Sequence, residues 1–266
     1  MSLKAGIGKI VTDGLVLCLD AADPRSYPRE SSGSGSSGTS GSSGTSGTGG
    51  STWYDRNMYQ YNGTISGATF TSAHAKGAFY FNGVDNYITI PFGNNRDIST
   101  DNVSYDIWVK STTLSGSKIF LINSSKSDSS NKFYLGHSNT EFDMGIGSSD
   151  WESEYQDVPY NAGFVEANVW FNFCLTVNET TTRCYKDGKN IISRSKDSEE
   201  NPIYTSFTKN STGVTFTQDL NIGGWSSDSS YAFNGYISCV KVYNRTLSAG
   251  EVMQNYRVMQ HRHKRY

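Results

Sequence analysis

The stretch from Phe233 to Glu251 constrains this chain most, because it has to change conformation within a few residues. Residues 237–243 are rich in β-branched and aromatic side chains and contain neither Gly nor Pro, which predicts a strand. Asn234-Gly235 ahead of it is turn chemistry that leads the chain in. Ser248 has Glu251 three residues later, a capping box that predicts a short helix starting there. Val252, Tyr256 and Met259 recur at helical spacing and would seat the apolar face of that helix on the sheet.

The rest of the chain supplies further strands. In the first run, residues 10–20, Leu15, Leu17 and Leu19 alternate onto one face, with Val16 and Cys18 on the other. Asp23-Pro24 and Tyr27-Pro28 end it. Residues 31–52 contain only Ser, Gly and Thr, so nothing in them can form a core. Two alternating strands then flank Asn82-Gly83, and residues 103–110 read as a central strand. Residues 119–122, 133–136, 170–177, 182–189 and 220–224 complete the set, with a hairpin turn at Asp187-Gly188. Residues 148–163 form a long loop rich in Trp, Tyr and acids. Many short strands with regular turns and one terminal helix predict an all-β chain: an antiparallel β-sandwich of jelly-roll type with a short C-terminal helix. The 266 residues fit one such domain over 12–256. It carries the Ser/Gly/Thr insertion at 31–52, an N-terminal arm at 1–11 and a basic, solvated tail at 257–266.

Composition narrows the partners. A net charge of −2 gives no reason to expect nucleic acid. No run of 18 apolar residues is present, so no membrane insertion is expected. The start of the sequence lacks an apolar h-region, and a signal peptide is not expected. The four cysteines, Cys18, Cys174, Cys184 and Cys239, have no metal-ligand spacing and read as buried free thiols. A disulfide is the alternative for one pair: Cys174 and Cys184 flank Asn178-Glu179-Thr180 symmetrically, so a hairpin turning there would set them opposite.

The ending, with Phe233, Gly235, Ile237, Val240, Val242, Tyr243, Arg245, Leu247, Ser248 and Glu251 in place, resembles the close of laminin-G-like domains of the concanavalin A-like superfamily. The run Asp13-Gly14-Leu15-Val16-Leu17-Cys18-Leu19-Asp20-Ala21 resembles the opening of such domains in bacteriophage structural proteins. Further resemblances lie at Trp53 to Thr64, at Phe81 to Ile88, at Val103 to Lys110, at the Asp187-Gly188 hairpin and at Leu220 to Gly224. In the Trp53 region the family's Gly-Asn repeat is replaced by Met58-Tyr59-Gln60-Tyr61. The resemblance implies one domain, with the N- and C-terminal strands near each other.

Glucanases of this superfamily place paired acids on one strand, as Glu-x-Asp-x-x-Glu or Glu-x-Asp-x-Glu. Neither pattern occurs; Glu152 and Glu154 read as loop and Asp106 stands alone, so no catalytic residue is expected. The resemblance implies carbohydrate binding, for which the loop aromatics Trp53, Trp151, Tyr155 and Trp225 are the first candidates, with Tyr160 and Tyr231 behind them. Structural Ca²⁺ is the cofactor to test, with Asp20, Asp23, Asp85 and Asn86 as ligands; these residues also suit plain turns. The expected function is a non-enzymatic virion structural or adhesion protein of a bacteriophage: a capsid decoration, head fibre or tail fibre, assembled in the host cytoplasm. Its partners would be other virion proteins, copies of itself in a homo-oligomer, and a host-surface glycan. The alternative is a stand-alone lectin-like module.

Overall fold

A computed structural model of the chain describes residues 8–28, 50–92, 102–123, 132–147, 165–179, 181–191, 193–194, 203–204, 207–208, 219–224 and 229–264. In chain order the first strands are β1 (Leu15–Asp20), β2 (Thr52–Trp53), β3 (Gly63–Ser66), β4 (Thr69–Thr71), β5 (Ala78–Asn82) and β6 (Tyr87–Ile90). The middle of the chain gives β7 (Val103–Ser111), β8 (Ser117–Asn123), β9 (Lys132–Ser138), β10 (Glu141–Gly147), β11 (Phe171–Val177) and β12 (Thr181–Lys186). There follow β13 (Lys189–Asn190), β14 (Ser193–Arg194), β15 (Ile203–Tyr204), β16 (Phe207–Thr208), β17 (Leu220–Ile222) and β18 (Asn234–Tyr243). One helix, α1 (Ala249–His263), closes the chain.

The strands form two main antiparallel sheets, the sandwich predicted from the sequence. The larger runs β13-β12-β11-β7-β18-β5-β4, with β1 also on β18 and β16 on β12; the smaller runs β10-β9-β8-β17-β6-β3-β2. β18 organises the larger sheet. It pairs with β7 on one side; on the other it pairs first with β5, through Asn234 to Ile237, and then with β1, through Cys239 to Tyr243. The two ends of the chain are therefore neighbours, as the resemblance implied. Between the sheets, Ile107, Val109, Phe173, Leu175, Val240 and Val242 meet Ile88, Ile90, Phe120, Leu220 and Ile222 in one buried core. Each such side chain contributes about 1.5–3 kcal/mol on burial.

The outer face of the larger sheet is also buried, because α1 lies over it. Val252, Tyr256 and Met259 face the sheet, as their spacing predicts, and pack on Trp108, Cys174, Cys239 and Tyr243. The indole of Trp108 stacks between Tyr256, at 5.7 Å, and His263, at 3.8 Å. Ser248 caps the helix, and both halves of its capping box with Glu251 are formed. The helix is longer than expected. It runs on through most of the stretch read as a solvated tail, and Arg262 and His263 are buried at 9% and 1% exposure.

Several polar groups under the helix are paired. Lys241 Nζ donates to Asp106 Oδ2 at 3.2 Å, and Asn172 Nδ2 donates to Asp106 Oδ1 at 2.6 Å. Burial disfavours the Lys241 charge, but the Asp106 carboxylate, together with Cys239, Tyr243 and Cys18, outweighs it, and the lysine pKa rises. Asn255 takes the Val11 N–H on its side-chain oxygen and donates to the Tyr243 hydroxyl, which donates to the Val11 carbonyl.

Three local expectations are corrected and a fourth is refined. Leu15 does not share a face with Leu17 and Leu19: an irregularity between Leu15 and Leu17 in the pairing with β18 turns Leu15 toward the helix side, while Val16 joins the core between the sheets. Cys174 pairs with Tyr185 and Leu175 with Cys184, a register one residue off symmetry. The two thiols therefore point to opposite faces, and all four cysteines are free and buried. Asn82-Gly83 does turn the chain between two strands, as read, although β5 and β6 belong to different sheets. Asn234-Gly235 is no turn but the start of β18, where a Cβ on Gly235 would sit 2.2 Å from the Lys110 carbonyl oxygen.

Candidate functional site

Trp53, a predicted sugar platform, is fully buried, with its ring 4.8 Å from Phe79 in the core between the sheets. β2 is paired with β3, so its last side chain turns inward. The turn after it reaches the surface instead. Asp55, 7% exposed, organises that turn: its carboxylate accepts the N–H groups of Cys18 at 2.8 Å, Asn57 at 2.9 Å and Tyr61 at 3.1 Å. Burial pushes the Asp55 pKa up although these N–H bonds favour the carboxylate. Asn57 ties the turn to β1 by donating to the Leu15 carbonyl, and Asn62 accepts from the Asp55 N–H at 2.9 Å.

The turn is thus pinned at both ends, and it presents aromatic surface. Tyr54, Met58 and Tyr59 are exposed, at 43%, 82% and 41%. Tyr59 lies parallel to Tyr61, with centroids 5.8 Å apart and planes 2° apart, and Tyr61 stands edge-on against Phe92 at 5.0 Å. Exposed rings held by a rigid turn suit the C–H face of a sugar. Tyr54, Tyr59 and Tyr61 were not singled out from the sequence. For Tyr59 and Tyr61 the signal was present: these aromatics stand where the family's turn has a Gly-Asn repeat.

The remaining sugar candidates are not brought together. Trp151, Tyr155, Tyr160 and Trp225 lie outside the described residues, as do Glu152 and Glu154. Tyr231 packs against Ile119, Ile122 and Tyr134. Asp106 is 1% exposed beneath the helix.

The four calcium candidates each have other partners. Asp20 holds Arg262 with N···O distances of 2.9 and 3.0 Å. Asp23 binds Arg25 at 2.9 Å and Arg56 at 3.2 Å. Asp85 accepts from the Asn82 amide at 2.7 Å, and Asn86 accepts the Asn82 N–H at 3.1 Å. They are turn and ion-pair residues. No three His, Cys, Asp or Glu side chains converge among the described residues, whereas Ca²⁺ takes six to eight oxygens. No helix among the described residues is long and apolar enough to cross a membrane.

A family model described as the concanavalin A-like lectin/glucanases superfamily matches residues 81–253. A search of curated proteins found no match. Among solved structures, domain 4 of an extracellular arabinanase from Geobacillus stearothermophilus, in complex with arabinotriose, is similar at TM-score 0.54 and 16% identity, over 76% of this chain and 92% of that one. Trypanosoma rangeli sialidase in complex with sialic acid is similar at TM-score 0.57 and 14% identity, over 97% of this chain and 35% of that one. The binding domain of botulinum neurotoxin serotype G follows at TM-score 0.53 and 15% identity, over 76% and 47%. The chain thus spans between a third and a half of the sialidase and neurotoxin chains. At these identities the likeness is one of fold.

Proposed function

This chain belongs to the concanavalin A-like lectin/glucanase superfamily, and on that footing we propose that it is a non-enzymatic glycan-binding domain. The observation that carries the reading is the turn built on Asp55, which holds Tyr54, Met58 and Tyr59 at the surface of a lectin-like sandwich. Sugar rings stack on exposed aromatics of this kind, and a pinned turn loses little entropy on binding. The names of two structural neighbours, one complexed with arabinotriose and one with sialic acid, agree with it. The test is a glycan array probed with the whole chain and with Tyr59→Ala. Wild-type signal that the substitution weakens supports the reading. A blank array, or turnover of a bound polysaccharide, ends it.

A second reading concerns where the domain works: on a bacteriophage virion, as a decoration or fibre that assembles as a homo-oligomer and touches host-surface sugar. What supports it is the opening run that resembles phage domains, here folded as β1 and paired along β18. Mass spectrometry of purified particles of a phage encoding this chain would find it at stoichiometric amounts; its absence would leave the stand-alone lectin.

A further inference from the structure

One row of side chains crosses the outer face of the larger sheet. Lys110 of β7 lies opposite Tyr236 of β18, and Tyr236 opposite Tyr80 of β5. The Lys110 ammonium sits 4.7 Å from the Tyr236 ring and 5.7 Å from that of Trp170. His74 leans in from the loop before β5, with Nδ1 3.1 Å from the ammonium and its ring edge-on to Tyr236 at 4.2 Å.

The chemistry of this cluster is one-sided. An ammonium only donates, so His74 Nδ1 is the acceptor, the imidazole is neutral, and Nε2 carries the hydrogen. Burial, and then the Lys110 charge, lowers the His74 pKa. Lys110 is 8% exposed, and its one polar partner among the described residues is that imidazole. The Trp170 indole N–H is buried with no acceptor. Lys241, on the same face of the same sheet, shows the usual remedy for a buried ammonium, because a carboxylate holds it. Among the described residues no such carboxylate holds Lys110, and an unpaired buried charge is costly. Among the described residues the site contains donors without an anion. It is not sealed, since His74, Tyr80 and Tyr236 are each half-buried.

We propose that Lys110 and His74, flanked by Tyr236 and Tyr80, bind the carboxylate of an acidic sugar residue. The carboxylate supplies the missing counter-charge as a charge-assisted acceptor. The tyrosine rings lie where the C–H face of the same sugar ring can rest. The inference rests on the glycan-binding reading and adds to it a second subsite with a preference for acidic sugars.

The experiment measures the affinity of the whole chain for three matched oligosaccharides: one bearing a uronic or sialic acid, its carboxyl-reduced alcohol, and a sulfated analogue. The acid form is expected to bind roughly ten- to a hundredfold tighter than the alcohol, the worth of one or two charge-assisted hydrogen bonds. Lys110→Met should abolish that preference. His74→Ala, at a half-exposed position that tolerates truncation, should reduce it by less and serves if the lysine variant fails to fold. Equal affinity for acid and alcohol, an unchanged preference in either variant, or tight binding of the sulfated form alone overturns the proposal while glycan binding stands. Failure to bind any of the three overturns both.

Discussion

His137 and His263 are neutral bases inside the protein. A carbonyl can only accept, so Nδ1 of each ring carries the proton, donated to Asn139 and to Met259. His263 Nε2 then accepts from the Ser238 hydroxyl at 2.6 Å. Burial pushes the pKa of His137 down to about 4 and, helped by the Arg262 charge, that of His263 down to about 2. The unfolded chain takes up these protons near the ordinary histidine value of about 6.5. The unfolded state thus binds more protons than the folded one just below that value, and stability falls as pH falls. The slope is about 1.4 kcal/mol per pH unit for each histidine between pH ~6.5 and ~5. Glu251 contributes little there: hydrogen bonding from Arg245 holds it at about 2, so its contribution is lost only at lower pH. Urea midpoints across this window should drop steadily. His263→Phe keeps an aromatic ring against Trp108 and should roughly halve the slope, and an unchanged slope would contradict this assignment.

At the scale of elements, β18 and α1 hold most of the fold's information. Ser248→Ala removes the side chain that caps α1 and should cost about 1 kcal/mol, read from chemical denaturation. Lys241→Met is a harsher change, because it leaves the Asp106 carboxylate buried without its cation; about 3–5 kcal/mol is expected. Adding Asp106→Leu should recover most of that loss, since no buried charge then remains, and a double variant as unstable as the single would refute the account. The cap and the helix face were legible because a capping box and a helical stripe are local signals, complete within about a dozen residues. The bulges were not. Between Ile237 and Cys239 the pairing of β18 with β7 shifts by one residue, so Ile237 faces the core while Cys239 and Lys241 face the helix. Strict alternation would have put all three together. Such a shift is set by the partner strands, β5 before it and β1 after, which no reading of β18 alone contains. The same holds for Cys174 and Cys184, whose separation fits a symmetric hairpin until the ladder fixes a register one residue away.

At the scale of the whole molecule, the sandwich was legible from strand count, turns and terminal motifs, but the site was not. Trp53 read as a loop aromatic; only the pairing of β2 with β3 turns its ring into the core. Of the acids read as calcium ligands, Asp20 and Asp23 have long-range partners that a sequence does not display. Arg262 reaches Asp20 from 242 positions away, across the seam where the two ends of the chain meet. This pair bears on metal dependence. To enter a calcium shell, Asp20 would have to release a guanidinium that is largely buried, and breaking such a pair costs several kcal/mol. Asp23 would likewise leave Arg25 and Arg56. The domain is therefore expected to hold its fold through the Asp20–Arg262 seam without a divalent ion. Thermal melts in EDTA and in millimolar calcium should coincide, whereas Arg262→Ala should lower the melting temperature in both. A rise of several degrees on adding calcium, above all in the Arg262 variant, would mean that these carboxylates serve a metal after all.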